Sequence, residues 1–362
     1  MSAYATKLAE GFSAKLSKEL YANALFDQAV NRDYEGEILN VGSLLNILDF
    51  ARLSEKDYSG SNLSVDDLNE NNGQLSIDKQ KSFYYRIKSI DQFKSYIKNP
   101  QSTLVQQTAE ERRKNIDIYV FGKYGKTAAG QRIGTDYTTG TVTVTTGTGA
   151  VVGSGTTFTA GMVGRGFKAT GHTKWYRVAT FTDTTHITIE NDLDDVASTY
   201  DGGSISGGTA YVIEANTPIQ MTTSNALQLL LQLKQKLDAA EVPTADRVLV
   251  LPTEVGTVLP RGTNINMAVP AVYDQLIKTG WLTDLAGFRI YMSARLSGDN
   301  TNGYHSIGNQ RGWQTFADKV IKAQMEEDLI GNFGSAFKDL YVYGSKVKDN
   351  RRKFGAELFV YV

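Results

Sequence analysis

The stretch Asn225-Ala-Leu-Gln-Leu-Leu-Leu-Gln-Leu-Lys-Gln-Lys-Leu-Asp-Ala-Ala-Glu-Val-Pro-Thr-Ala-Asp-Arg-Val-Leu-Val-Leu-Pro252 changes its period halfway along. Ala226, Leu227, Leu230, Leu231, Leu233 and Leu237 draw an apolar stripe at helical spacing behind a Ser224 N-cap, which predicts a helix ending near Ala240. Beyond Val242-Pro243, residues 246–251 read as a buried strand stopped by Pro252. Downstream, a short helix is expected over 272–282 and a strand over Phe288-Arg-Ile-Tyr-Met292. Further strand-like runs are Val320-Ile-Lys-Ala323, Leu340-Tyr-Val-Tyr343 and Glu357-Leu-Phe-Val-Tyr-Val362. A chain that closes on a strand is tied into a sheet at that end. The class is α+β.

Upstream, composition shifts sharply at Thr135. Residues 138–212 are rich in Thr and Gly and alternate with period two, as in Thr141-Val-Thr-Val144 and His186-Ile-Thr-Ile189. Phe158, Phe167, Trp175 and Phe181 recur too regularly for a solvated linker, so a small all-β barrel or sandwich is expected between helical segments. Before it, Asn99-Pro100 breaks the chain, and Ser102 or Thr103 can cap a helix starting there. Leu104, Val105, Thr108, Ile116, Tyr119 and Val120 trace one face of that helix, which is about 22 residues and about 33 Å long. Residues 37–90 are turn-rich around two alternating runs, Gln74-Leu-Ser-Ile77 and Lys81-Ser-Phe-Tyr-Tyr-Arg-Ile87, which suggests a projecting hairpin-like loop. Over residues 3–32, Leu8, Phe12, Leu16 and Leu20 recur at a spacing of four, marking an amphipathic helix. Such a helix either docks on its own domain or serves as an arm to a neighbouring subunit.

The 362 residues suggest about two domains. With 38 Lys+Arg against 39 Asp+Glu, no global charge drives the chain toward nucleic acid or an anionic membrane. Zero cysteines exclude disulfides, thiolate metal sites and a cysteine nucleophile. Charges interrupt every apolar stretch near the N-terminus, so no secretion signal is expected, and no apolar run is long enough to span a membrane.

Several motifs tempt and fail. Gly122-Lys-Tyr-Gly-Lys-Thr127 has two residues between its glycines where a phosphate loop needs four, and it follows a helical pattern; a helix C-terminus with dipole-matched lysines accounts for it better. Asp192, Asp194 and Asp195 resemble half a calcium loop but lack its central glycine and terminal acid, leaving only a β-turn cation site open. His172, His186 and His305 have no partners at ligand spacing; two lie in the β module, where exposed strand histidines are ordinary. Arg351-Arg-Lys353 is a single tight basic cluster, weak support for DNA contact. No catalytic, cofactor or metal site is expected. The run Glu110-Glu-Arg-Arg-Lys114 reads as a solvated helical face with three-or-four-apart pairing, or as a source of intersubunit ion pairs.

In order of elements, and in 225–252, 66–91, Phe288-Arg-Ile-Tyr-Met-Ser293 and Trp313-Gln-Thr-Phe-Ala-Asp-Lys-Val320, the chain resembles the major capsid protein of tailed bacteriophages, the Hong Kong 97-type (Johnson) fold. The resemblance covers almost everything except 135–215. It implies an N-terminal arm (1–38), an extended loop (39–90), a P-domain spine helix (91–134), an inserted β domain (135–215), an A domain (216–318) and C-terminal P-domain strands (319–362). Residues 313–320 would lie in a late A-domain strand and helix. It further implies self-assembly as hexamers and pentamers around double-stranded DNA, with a scaffolding protein, a portal and a decoration protein as partners, in a virion assembled in the host cytoplasm. Candidate intersubunit contacts are Leu8, Phe12 and Leu16 in the arm, Lys56 and Tyr58 in the loop, and Glu110, Arg112 and Arg113 on the spine helix. A braced, thin subunit whose arms spread modest interfaces over several neighbours suits a shell, and a near-neutral wall does not adhere strongly to packed DNA. An encapsulin-type compartment shares the fold, and a tail or fibre adhesin would explain the Thr/Gly module alone.

Overall fold

The computed structural model describes residues 24–33, 44–47, 73–88, 100–192, 198–259, 284–326 and 334–362. Chain order begins with a single-turn helix α1 (Phe26–Ala29), then strands β1 (Leu44–Ile47), β2 (Gly73–Ser76) and β3 (Lys79–Lys88), and a 22-residue helix α2 (Pro100–Phe121). The helix expected over 3–32 reaches only Ala29 within the described residues. Val30 and Asn31 are extended, and Asn31 bridges in parallel to Thr315. Pro100 suits the first helical position because its missing N–H has no partner to lose there. The helix ends in a tight 3-10 turn, Gly122–Lys126, with Lys123 and Lys126 at its C-terminal end, as the rejected phosphate-loop motif implied.

β1 and β2 pair antiparallel, with 48–72 between them. β3 does not pair with either. It adds to a long hairpin made of β19 (Gln314–Glu326) and β20 (Gly334–Val347), giving the sheet order β19-β20-β3. The resemblance placed a helix in 313–320, and here the structure corrects it. Those residues pair in register with the returning strand, Phe316 opposite Ser345 and Asp318 opposite Tyr343, and their backbone groups are satisfied across the ladder. α2 lies on one face of this sheet, meeting Tyr341 and Tyr343, while Leu75 and Ile77 pack on the other face against Ala317 and Val342.

A second sheet is built from β4 (Arg132–Ile133), β13 (Ile219–Gln220), β14 (Arg247–Leu251), β15 (Asp284–Leu285), β16 (Phe288–Met292), β17 (Gly298–Asp299), β18 (Gly303–Gln310) and β21 (Gly355–Tyr361). Its main path runs β13-β21-β18-β14-β16-β15. Every residue of β14 is buried, as the apolar run required. Helix α3 (Ala226–Ala239) covers the sheet with Leu229, Leu230, Leu233 and Leu237. Asn225 rather than Ser224 precedes its first turn, its side chain turned back to accept from Thr222 N. The boundary expected at 318/319 falls inside β19. The last strand belongs to this central sheet, where Leu358 and Val360 join the core under α3.

The third unit spans β5 (Thr135–Tyr137), β6 (Thr141–Val144), β7 (Ala150–Ser154), β8 (Gly166–Ala169), β9 (Tyr176–Asp183), β10 (His186–Asn191), β11 (Ile205–Thr209) and β12 (Tyr211–Thr217). It is an antiparallel sheet ordered β11-β6-β7-β10-β9-β8-β12-β5. Val142 and Val144 near one end of that path share a core with Phe167, Tyr211 and Ile213 near the other, so the sheet curls around its own apolar centre. The chain crosses into and out of this unit side by side. A Cβ on Gly134 would come within 2.7 Å of Ala215 Cα, so only glycine fits that crossing.

Leu233 is fully buried between α3 and the sheet, whereas Leu231 is 48% exposed. Leu233→Ala is expected to cost about 2–5 kcal/mol in urea unfolding, and Leu231→Ala less than about 0.5 kcal/mol.

Candidate functional site

The spine-helix candidates separate once placed. Arg112 is turned inward: its guanidinium pairs with Asp339 and sits 4.1 Å from the Tyr341 ring centroid. Its charge fastens α2 to β20 within one chain. Arg113 is exposed, and Glu111 pairs with Lys114 three residues on, 3.3 Å apart, as the helical spacing required. Glu110 is half-buried. Leu8, Phe12, Leu16, Lys56 and Tyr58 lie outside the described residues.

One turn further along α2, the buried Asp117 accepts from the backbone N–H groups of Leu25 and Phe26, at 3.1 and 2.9 Å, and pairs with Arg295 at 2.5 Å. It thereby caps α1 and anchors the point where residues 1–23 join the body. Burial pushes its carboxyl upward despite these donors.

Among the described residues, an extended polar assembly lies where the curled β unit meets the central sheet. Glu357 on β21 has no exposed side-chain surface and faces Arg132 Nε at 3.2 Å and Arg165 Nη1 at 3.0 Å. His305 Nδ1 donates to it at 2.6 Å, and the imidazole is stacked between Tyr124 and Phe359, with centroids 3.8 and 4.3 Å away. Arg132 reaches on to Glu214 at 3.1 Å and to the carbonyls of Gly164 and Thr127. Glu214 also accepts from Gly130 N and Gly166 N, and a Cβ on Gly166 would lie 2.3 Å from its Oε1. Nearby, Arg352 pairs with Asp192 at 2.8 Å, and Asp192 accepts from Ala129 N at 2.6 Å. Three buried ion pairs therefore cross from the β unit (Arg165, Asp192, Glu214) to the body (Arg132, Arg352, Glu357).

This junction corrects several readings. Arg352 is buried in it, so Arg351-Arg-Lys353 is not an exposed basic cluster. Asp192 holds an arginine and a backbone N–H, while Asp194 and Asp195 lie outside the described residues. His186 is exposed as expected, but His172 is buried, with Nε2 2.8 Å from the Tyr200 hydroxyl. Among the described residues no group of three His, Asp or Glu side chains could hold a metal ion. The junction was missed because its members are far apart in sequence. The local signal was a lone acid inside an apolar strand, as in Tyr211-Val-Ile-Glu-Ala215 and Gly355-Ala-Glu-Leu-Phe-Val360.

No family model matches this sequence, and no curated protein matches it. Solved structures do. A chain from Mycobacterium phage Che8 superposes with a TM-score of 0.61 at 17% identity, covering 96% of this chain and 95% of that one. A chain of the capsid of the cyanophage P-SCSP1u gives 0.56 at 12% identity, with 97% and 92% covered. The capsid of Ralstonia phage GP4 gives 0.53 at 10%, with 98% and 94% covered. The protein has the fold of phage capsid chains, over nearly their whole length.

Burial raises the Glu357 carboxyl, but the His305 hydrogen bond and the Arg165 and Arg132 charges outweigh it and hold the group down at about 2. At Glu214 burial wins and the shift is upward. Because Glu357 is depressed in the folded protein, its contribution is complete above pH 4.5 and is lost as pH falls toward 2. Glu357→Gln, which strands the buried Arg165 and leaves Arg132 with Glu214 alone, is expected to cost about 3–5 kcal/mol at pH 7. It should also flatten the fall of the thermal midpoint between pH 4.5 and 2; an unchanged midpoint would refute this role.

Proposed function

We propose that this chain is the major capsid protein of a tailed bacteriophage, a structural protein rather than an enzyme, which assembles as hexamers and pentamers into an icosahedral shell around double-stranded DNA. The observation that carries this reading is mutual coverage above nine-tenths with phage capsid chains, the cyanophage capsid among them. The physical design agrees with it. A 22-residue helix braces a three-stranded sheet, and segments at 1–23 and 48–72 remain to spread contacts over neighbours. Among the described residues no helix is long and apolar enough to cross a membrane.

In this reading residues 1–38 form the arm, 39–90 the extended loop, 91–134 the spine, 216–318 the axial region and 319–362 the closing strands. The β unit of 135–215 stands on the outer surface, decorating the shell or clasping capsomers. Leu8, Phe12, Leu16, Lys56, Tyr58, Glu110 and Arg113 serve contacts between subunits, whereas Arg112 supports them from within by holding α2 on its sheet. A scaffolding protein and a portal guide assembly in the host cytoplasm, a decoration protein binds outside, and packaged DNA touches the wall weakly and without sequence preference.

Light scattering on size-exclusion eluate, with negative-stain images of the leading peak, tests this. Closed shells or rings of five and six are expected, with scaffolding protein added if the chain alone stays small. A fibrous trimer would favour an adhesin, and small shells that carry a cargo enzyme would favour an encapsulin-type compartment.

A further inference from the structure

A cavity of about 530 Å³ opens at the seam between the curled β unit and the body, lined by Ala129, Lys174, Trp175, Asn191, Asp192 and Asp201. That volume suits a small molecule rather than a protein segment. Trp175 supplies its aromatic wall. The strand pattern groups this residue with Phe158, Phe167 and Phe181, and those three do join or pack against the apolar core of the β unit. Trp175 does not. It is half-buried and laid against Gly130, where a Cβ would lie 2.7 Å from its Cδ1 and Nε1. Its indole N–H has no acceptor among the described residues, and Lys168 reaches over the ring with Nζ 5.9 Å from the centroid. A large ring kept out of the core, with its donor unused, is apolar and polar at once and suits a ligand of the same mixed character.

The polar lining is organised around Asp201. Its carboxylate accepts from Lys174 Nζ at 2.7 Å and from the Tyr176 hydroxyl at 3.4 Å, and the Lys174 bond holds the group below the usual carboxylate range. Asn191 steadies it, since Nδ2 donates both to Thr199 O, at 2.9 Å, and to Asp201. Asp192 adds no free charge, because Arg352 and the Ala129 N–H already engage it. The charges that line the cavity are therefore matched, Lys174 by Asp201 and Asp192 by Arg352. Matched charges do not select a phosphate or another strongly ionic ligand, which calls for a surplus of cations. They do offer an acceptor and a donor side by side beside an aromatic ring. A pyranose has the complementary chemistry. One face carries C–H groups that lie on an aromatic ring, and its hydroxyls donate to a carboxylate and accept from an ammonium or an indole N–H. We propose that this cavity binds one pyranose unit of a saccharide, with Trp175 as its platform and Asp201 and Lys174 engaging adjacent hydroxyls. The groups are already held in place in the empty protein, so little ordering opposes binding. Binding of this kind needs no assembled shell.

Saturation-transfer difference NMR on the full chain, in whichever assembly state it adopts, tests the proposal with the methyl β-glycosides of glucose, galactose, mannose and N-acetylglucosamine. At least one of these is expected to receive saturation, concentrated on the C–H protons of one ring face. Trp175→Ala should abolish that transfer. Asp201→Asn, which keeps the side chain's shape on an exposed rim, should weaken binding about tenfold, the worth of one charge-assisted hydrogen bond. The thermal midpoint of each variant reports whether the fold is intact, and if Trp175→Ala unfolds the β unit, Asp201→Asn alone decides. Silence from every glycoside, transfer that survives Trp175→Ala in a folded protein, or full binding by Asp201→Asn would overturn the proposal. Equal transfer to the acyclic polyol sorbitol would overturn it too, as would binding of adenosine monophosphate or choline in place of the sugars, which would assign the platform to a nucleobase or a quaternary cation.

Discussion

Glu357 is a carboxylate without access to water, and the arrangement of the molecule depends on how its charge is satisfied. Arg132 approaches from the strand leading out of the spine, Arg165 from the curled β unit and His305 from the neighbouring strand of the central sheet. Removing several charges from water is costly, and only near-ideal geometry offsets it. A small rotation of the β unit would strand Arg165, Asp192 and Glu214 together, so one orientation lies well below its alternatives. In this role a buried ionic network contributes specificity of arrangement more than net stability.

The long helix distributes that rigidity. Arg112 fixes it to the long hairpin through Asp339 and Tyr341. Asp117 fixes it to the root of the N-terminal segment and to Arg295, and Tyr119 touches Asp78 and Tyr343. Within about two turns, three side chains thus hold three different parts of the chain. On the proposed shell reading, such bracing lets modest contacts between copies, repeated over a closed surface, add to a stable particle.

Much of this was legible in the chain itself. The 22-residue helix between Pro100 and Phe121, the leucine stripe from Ala226, the buried strand before Pro252 and the Thr/Gly β unit all follow from local periodicity, because each element buries one face and the apolar spacing records it. The helix expected through Trp313-Gln-Thr-Phe was overruled by a partner strand some thirty residues later, and no local pattern encodes a partner. Of the contact candidates, Arg112 illustrates the same limit. Within Glu110-Glu-Arg-Arg-Lys114 it is indistinguishable from Arg113, and only the position of Asp339 decides which guanidinium turns inward.

By itself, then, the sequence determined the kinds of elements, their order and the near-neutral balance of charge. Only the tertiary structure decided where the charges went. Arg132, Arg165, His305 and Glu357 are separated by up to 225 residues, and nothing in the local sequence of any one of them names its partners. Their meaning arises from proximity in a medium of low polarity, where an ion must find its counter-ion, and that proximity exists only once the sheets have closed on one another.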